Sequence, residues 1–202
     1  HASAATLNSE YSFNPLHHLG GIAPYFEPQD PPASPDVPQG CKPARAAYLV
    51  RPAAIYPNDF DYEEYIEPCV VMLENHTKTN WNKVPYLNFL AEWKAPFSDA
   101  EAELLTNLGK LEATKLGVDL EFRYPDFKLP KKVWTSSAER TVKSAQSFVR
   151  GLETDDKTVK VQSIFESDES GADSLTPYKA CPGYSGSTGS DESSVYQEKY
   201  AK

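Results

Sequence analysis

The chain has 202 residues, of which 40% are hydrophobic and 24% charged, enough apolar material for one sizeable core and an ordinary balance for a soluble globular domain. A net charge of -9 and a pI near 5.0 argue against nucleic acid as a partner, since a phosphate backbone is held by a basic face, but they leave room for a small phosphorylated ligand held by a local cluster. No apolar run approaches the roughly eighteen residues of a membrane span, and His1 to Pro15 lacks the basic start and apolar core of a signal peptide, as expected if numbering begins at a processed terminus.

Residues 1–45 read as an irregular arm that wraps a surface, because Pro24 to Pro43 holds seven prolines in twenty residues and so excludes helix there. The adjacent His17 and His18 point in different directions, so packing or hydrogen bonding is expected of them rather than metal binding. His1 could chelate copper only with a second histidine that spacing does not identify. Ala46 to Val50 is predicted to form a short buried strand ending at Arg51, and Pro52 and Pro57 bracket the loop that follows. A charge at the carboxyl end of a buried strand lies at the rim where open α/β sheets bind ligands, which makes Arg51 a candidate anion contact.

Asp59, Asp61, Glu63 and Glu64 could gather a divalent cation, but acidic residues at this spacing are the usual solvated start of a helix, favoured by its dipole. The helix expected over Tyr62 to Leu73 is interrupted at Pro68. Asn75-His76-Thr77 is a glycosylation sequon, consistent with secretion. Ser98-Asp99-Ala100-Glu101 is a capping box, and Leu104, Leu105, Leu108, Leu111, Leu116 and Leu120 follow at helical spacing. A long helix is predicted from there, with Gly109 and Gly117 needing a packing reason or a bend.

Lys132 to Ser136 reads as a second strand. It leads into a helix from Ala138 to about Gly151, capped by Ser136 or Ser137 and burying Val142, Ala145, Phe148 and Val149. Arg140 falls in its first turn, where free amides and the positive helix end favour an anion; the competing expectation is a solvated arginine, or one paired to a carboxylate such as Glu139. A third strand is expected over Val159 to Phe165. The Ser, Gly, Asp and Thr-rich stretch from Glu166 through Ser194 reads as an exposed loop, and Val195 to Lys202 as the start of a further helix. Three cysteines, Cys41, Cys69 and Cys181, cannot all pair within one chain, and they form no zinc pattern. No GxSxG, P-loop or dinucleotide glycine motif occurs, so neither a metal nor a cofactor is expected.

The window Arg51-Pro52-Ala53-Ala54-Ile55-Tyr56-Pro57 resembles Arg-His-Gly-x-Arg-x-Pro, the signature of the histidine acid phosphatases, in particular their secreted fungal, phytase-like branch. Asn14 to Gly21, Asn58 to Tyr62 and Trp134 to Thr141 are similar to the same family. The resemblance implies a three-layer α/β/α domain of which this chain holds the amino-terminal half: an arm over 1–45, an α/β core over 46–165, and a loop with a further helix over 166–202, incomplete at the C-terminus. In such a shortened chain the cysteine partners lie in the second half. The resemblance also places Arg51 and Arg140 among the phosphate-clamping arginines, with Tyr56 and Asp59 as candidate pocket lining.

In that family a histidine attacks phosphorus, arginines neutralise the equatorial oxygens and a distant acid protonates the leaving alcohol. Here Pro52 stands at the nucleophile position and Ile55 at that of the second arginine, and the acid motif belongs to the other half. The expectation is a protein without phosphatase turnover that retains a weak anion site. Two alternatives are a pocket repurposed for another small-molecule reaction, with Tyr56 and the acidic cluster lining it, and half of a phosphomonoester hydrolase completed by another chain. Were the second half absent in the cell too, a sheet edge and apolar helix faces would be left uncovered, and such surfaces seek a protein partner or a second copy, or aggregate.

Overall fold

The structure, a computed structural model, describes residues 14–26, 37–76, 78–152, 159–165, 175–176, 178, 181–184 and 189–200. Its centre is a strand–helix–strand unit. Strand β1 (Lys132–Ser136) leads into helix α4 (Glu139–Leu152), and β2 (Lys160–Ile164) returns parallel to β1, with Lys132 opposite Lys160 and Ser136 opposite Ile164. Parallel neighbours need a crossover of this kind, and the helix supplies it. The α/β class expected from the sequence is the class observed, and these two strands and the helix between them lie within a residue or two of their predicted bounds.

Helix α3 (Asn107–Arg123) packs along α4. The two backbones approach closely because the contact is made by small residues. A Cβ on Gly117 would collide with the Phe148 carbonyl oxygen, and one on Gly151 with that of Thr114. Gly117 is therefore explained by the approach of α4, and Gly109 by that of the Ala54 backbone, rather than by a bend, and the helix-propensity cost of each is about 1 kcal/mol against alanine. The buried residues of α3 are Gly109, Ala113 and Gly117, and those of α4 are Ser144, Ser147, Val149, Gly151 and Leu152. Leu105, Ala113, Val149, Leu152 and Val159 make up the buried apolar core among the described residues.

Several expectations are corrected. The Ser98 capping box exists, with the Glu101 carboxylate accepting from the Ser98 N–H at 2.7 Å, but it closes only the short turn Asp99–Glu101. The long helix starts at Asn107 and is capped by Thr106, whose Oγ1 accepts from the Gly109 N–H at 2.9 Å. Leucine spacing therefore misplaced both its start and its buried face: Leu108 and Leu111 are 58% and 66% exposed, and the inward stripe is Gly109, Ala113, Gly117. In α4 the buried set is shifted as well. Val149 is buried as expected, whereas Val142, Ala145 and Phe148 are only half-buried.

The predicted buried strand Ala46 to Val50 is also corrected. These residues enter no ladder, and Tyr48, Leu49 and Val50 are about half exposed or more. Strand formation depends on a neighbour for the backbone N–H and C=O groups, and no described strand lies beside this one. Pro68 does not interrupt its helix. Residues run helically from α1 (Asp59–Asp61) through a π-helical segment (Tyr62–Ile66) into α2 (Glu67–Asn75). The Glu67 N–H reaches back five residues to the Tyr62 carbonyl, and this widened turn precedes the proline, which sits at the start of α2.

The arm carries two short 3-10 turns, Pro15–His18 and Gly20–Ile22, and His17 packs by stacking on Phe26 with ring centroids 4.0 Å apart. The last helix, α5 (Ser190–Tyr200), begins five residues before Val195, inside the stretch read as loop, and all its residues are exposed. Further 3-10 turns, Trp81–Lys83 and Pro85–Ala91, lie where the sequence made no secondary-structure signal.

Candidate functional site

The loop after Arg51 is held in place by hydrogen bonds to three separate parts of the chain. The Ala53 N–H donates to Ser144 Oγ at 3.1 Å, and the Ala54 N–H donates to Glu112 Oε2 at 3.2 Å. The Ala54 carbonyl accepts from both the backbone N–H (3.0 Å) and the hydroxyl (2.8 Å) of Thr106. Tyr56 donates its N–H to the Leu104 carbonyl and the Glu103 N–H donates to the Pro57 carbonyl, each at 2.9 Å, so residues 54–57 and 103–106 run as a short antiparallel pair centred on Ile55 and Leu105. Gly109 lies beneath this loop, where any Cβ would strike the Ala54 carbonyl oxygen. The loop therefore crosses the first turn of α3 at a distance only glycine permits.

The same segment is fastened to the start of α4. Glu139 Oε2 accepts from the Leu105 N–H at 3.1 Å, and Arg140 Nη1 donates to Glu103 Oε2 at 2.5 Å. Arg140 is in the first turn of α4, as the sequence indicated, and Ser144, four residues on, shares its side of the helix and holds the loop through Ala53. The carboxylate paired with Arg140 is Glu103 rather than the expected neighbour Glu139. Glu103 is also the one described non-glycine residue with positive φ, at 60°.

The remaining candidates are placed as follows. Arg51 is exposed and makes no hydrogen bond or ion pair among the described residues. It lies on a segment that enters no ladder rather than at the end of a paired strand. Pro52 is half-buried and Ile55 is 37% exposed. Tyr56 is half-buried with its ring against Phe97 at 5.6 Å, and Tyr62 approaches the same ring at 6.2 Å. Asp59 is exposed at the start of α1, behind Asn58, whose side chain caps the helix by accepting from the Asp61 N–H at 2.8 Å. Asn75 is exposed at the end of α2, and Thr77 of its sequon lies outside the described residues, as does His1.

Cys41, Cys69 and Cys181 are free thiols, and among the described residues no three His, Cys, Asp or Glu side chains gather to hold a metal ion. No helix among the described residues is long and apolar enough to cross a membrane.

A cavity of about 300 Å³ lies elsewhere, lined among others by Lys42, Arg45, Tyr48, Tyr124 and Phe127, and shares no lining residue with the Arg51 loop or the start of α4. There, burial, with Tyr124 adding to it and Arg123 opposing, pushes the Tyr48 phenol up. Sequence reasoning missed Glu103, Thr106, Glu112 and Ser144. The available signal was Thr106 three residues before Gly109, a cap residue followed by the glycine that receives the loop.

The chain belongs to the histidine phosphatase superfamily, branch 2, whose family model matches residues 56–202. That match begins one residue past Ile55, so Arg51 to Ile55 of the signature-like window lie outside it. Among curated proteins the chain is 28% identical to a phytase of Candida albicans over 95% of its own length and 43% of the relative's. It is 25% identical to the constitutive acid phosphatase of Saccharomyces cerevisiae over 98% and 45%, and 31% identical to a thiamine-repressible acid phosphatase of Schizosaccharomyces pombe over 86% and 40%. The crystal structure of the phytase from D. castellii superposes with a TM-score of 0.71 at 25% identity, covering 88% of this chain and 42% of the phytase. The chain thus has the histidine-phosphatase α/β fold and spans less than half the length of the relatives it matches.

Proposed function

We propose that the chain is a secreted histidine-acid-phosphatase-like protein without phosphatase turnover, which keeps a weak site for phosphate-type anions at Arg51 and Arg140. The observation that carries this reading is Pro52: the residue after Arg51, where the family signature has its nucleophilic histidine, has no nucleophilic side chain. Ile55 in place of a second arginine removes a charge-assisted hydrogen bond of about 1.5–3 kcal/mol from any phosphate complex. Catalytic groups act as a unit, so losing the nucleophile alone costs several orders of magnitude in rate.

The hydrogen-bonded loop and the first turn of α4 support the surviving anion site, since they keep Arg51 and Arg140 on segments joined through Ala53 and Ser144. For a site with a dissociation constant of about 1 mM, 10 mM inorganic phosphate stabilises the fold by about 1.4 kcal/mol, which raises the melting temperature of a chain this size by roughly 3–5 °C. Arg51→Ala abolishes that rise. A melt that ignores phosphate, or a rise that survives in Arg51→Ala, rejects the site.

A second reading, half of a phosphomonoester hydrolase completed by another chain, is favoured by the large apolar side chains left exposed, among them Leu49, Phe60, Tyr65, Phe89 and Leu111. It requires a stable complex in native secretions. An uncomplexed monomer on size exclusion from that source counts against it.

A further inference from the structure

We infer that Glu103 is a built-in competitor for Arg140, an internal carboxylate that holds the place of an external anion and sets how weakly the site binds one. The inference rests on the anion-site reading above and adds to it the residue that tunes the site.

Three observations carry it. The Glu103 carboxylate meets Arg140 Nη1 directly, so an incoming anion that engages the same guanidinium edge has to displace it. The carboxylate is placed there by its backbone: φ is +60°, the Glu103 N–H is fixed to the Pro57 carbonyl, and the neighbouring Leu104 carbonyl is fixed by the Tyr56 N–H. Positive φ is uncommon for a residue with a Cβ, and here it is held by the same strand pair that holds the loop after Arg51. Finally, the Arg140 and Glu103 side chains are 32% and 42% exposed, so the carboxylate can swing into water by side-chain rotation while the backbone stays pinned.

The other two carboxylates of the junction do not compete in this way. Glu112 accepts from the Ala54 N–H and Glu139 from the Leu105 N–H, and both are committed to holding backbone. Glu103 is the one whose described side-chain partner is the arginine itself. A partly exposed ion pair of this type binds its arginine only modestly, which makes it displaceable by a more highly charged anion.

The test is calorimetric titration of the full chain with inorganic phosphate at low ionic strength, on the wild type, Glu103→Gln, Glu103→Gly, Arg140→Gln and the double variant Glu103→Gln/Arg140→Gln. Glycine is included because it adopts positive φ without strain and so keeps the loop if glutamine does not. The expected result is phosphate affinity about fivefold tighter in both Glu103 variants, a difference of about 1 kcal/mol, with the gain lost in the double variant. Unchanged affinity in both Glu103 variants, with Arg140→Gln still weakening binding, overturns the competitor and leaves the anion site standing. A gain that persists without Arg140 also overturns it, because it would reflect general charge removal. Absence of phosphate binding in every protein removes the anion site and the competitor together.

Discussion

The α3–α4 junction and the exposed stretches Tyr48–Val50 and α5 are built on opposite terms. At the junction, contact is made at Gly117 and Gly151, and backbone approaches backbone closely enough that a methyl group at either position has no room. In the stretch Tyr48–Val50 and in helix α5, large side chains are plentiful but point into solvent: Leu49, Val195 and Tyr196 are all more than 60% exposed. Apolar content alone therefore does not identify the ordered core of this chain. Shape at the contact decides it, since close packing depends on complementary volumes rather than on hydrophobicity summed along the sequence.

This contrast can be broken by substitution. Gly151→Leu forces α3 and α4 apart and is expected to cost about 3 kcal/mol, a fall in melting temperature of roughly 6–12 °C for a chain of this length. Gly183→Ala, where a Cβ meets nothing within 4 Å, is expected to stay within about 0.5 kcal/mol. Similar losses at both positions would erase the distinction.

A second pair uses one residue type in both settings. Val149 is 8% exposed and Val50 is 48% exposed. Val149→Ala is expected to cost about 2 kcal/mol in urea unfolding and Val50→Ala a few tenths. If Val50→Ala costs as much as Val149→Ala, the exposed stretch is covered in solution, which would favour the two-chain reading.

Of the three destabilising substitutions, the smallest loss is expected at the loop. Glu112→Ala leaves the part-buried Ala54 N–H without its acceptor and costs about 1.5 kcal/mol, with faster hydrogen exchange at Ala54 than at the Tyr56 N–H, which keeps its bond to Leu104. Unchanged exchange at Ala54 would show that the carboxylate does not hold the loop.

What was legible in the sequence follows the same division. The elements β1, α4 and β2 were readable because each is specified locally, by short apolar runs bounded by turn residues and by one helical apolar face. Arg140 was placed in its first turn by the same local logic. The start of α3 was not, because Leu104 and Leu105 continue the leucine spacing while Leu105 is buried outside the helix, and the real cap is Thr106.

The strand over Ala46 to Val50 was misread because strand formation depends on a neighbour that local sequence does not display. The pairing of Arg140 with Glu103 spans 37 residues and depends on an unusual backbone angle, so residue types and spacing carried no sign of it. The altered signature was legible at once: Pro52 and Ile55 are read directly from the chain. Their consequence for chemistry depends only on what those side chains lack.

The most direct measurement is hydrolysis of an aryl phosphate by the purified chain at mildly acidic pH, followed across the fractions of its elution peak. The expected result is no turnover above the uncatalysed background in any fraction. Turnover that rises and falls with the protein would mean that a residue other than Pro52 attacks phosphorus, and it would contradict the account.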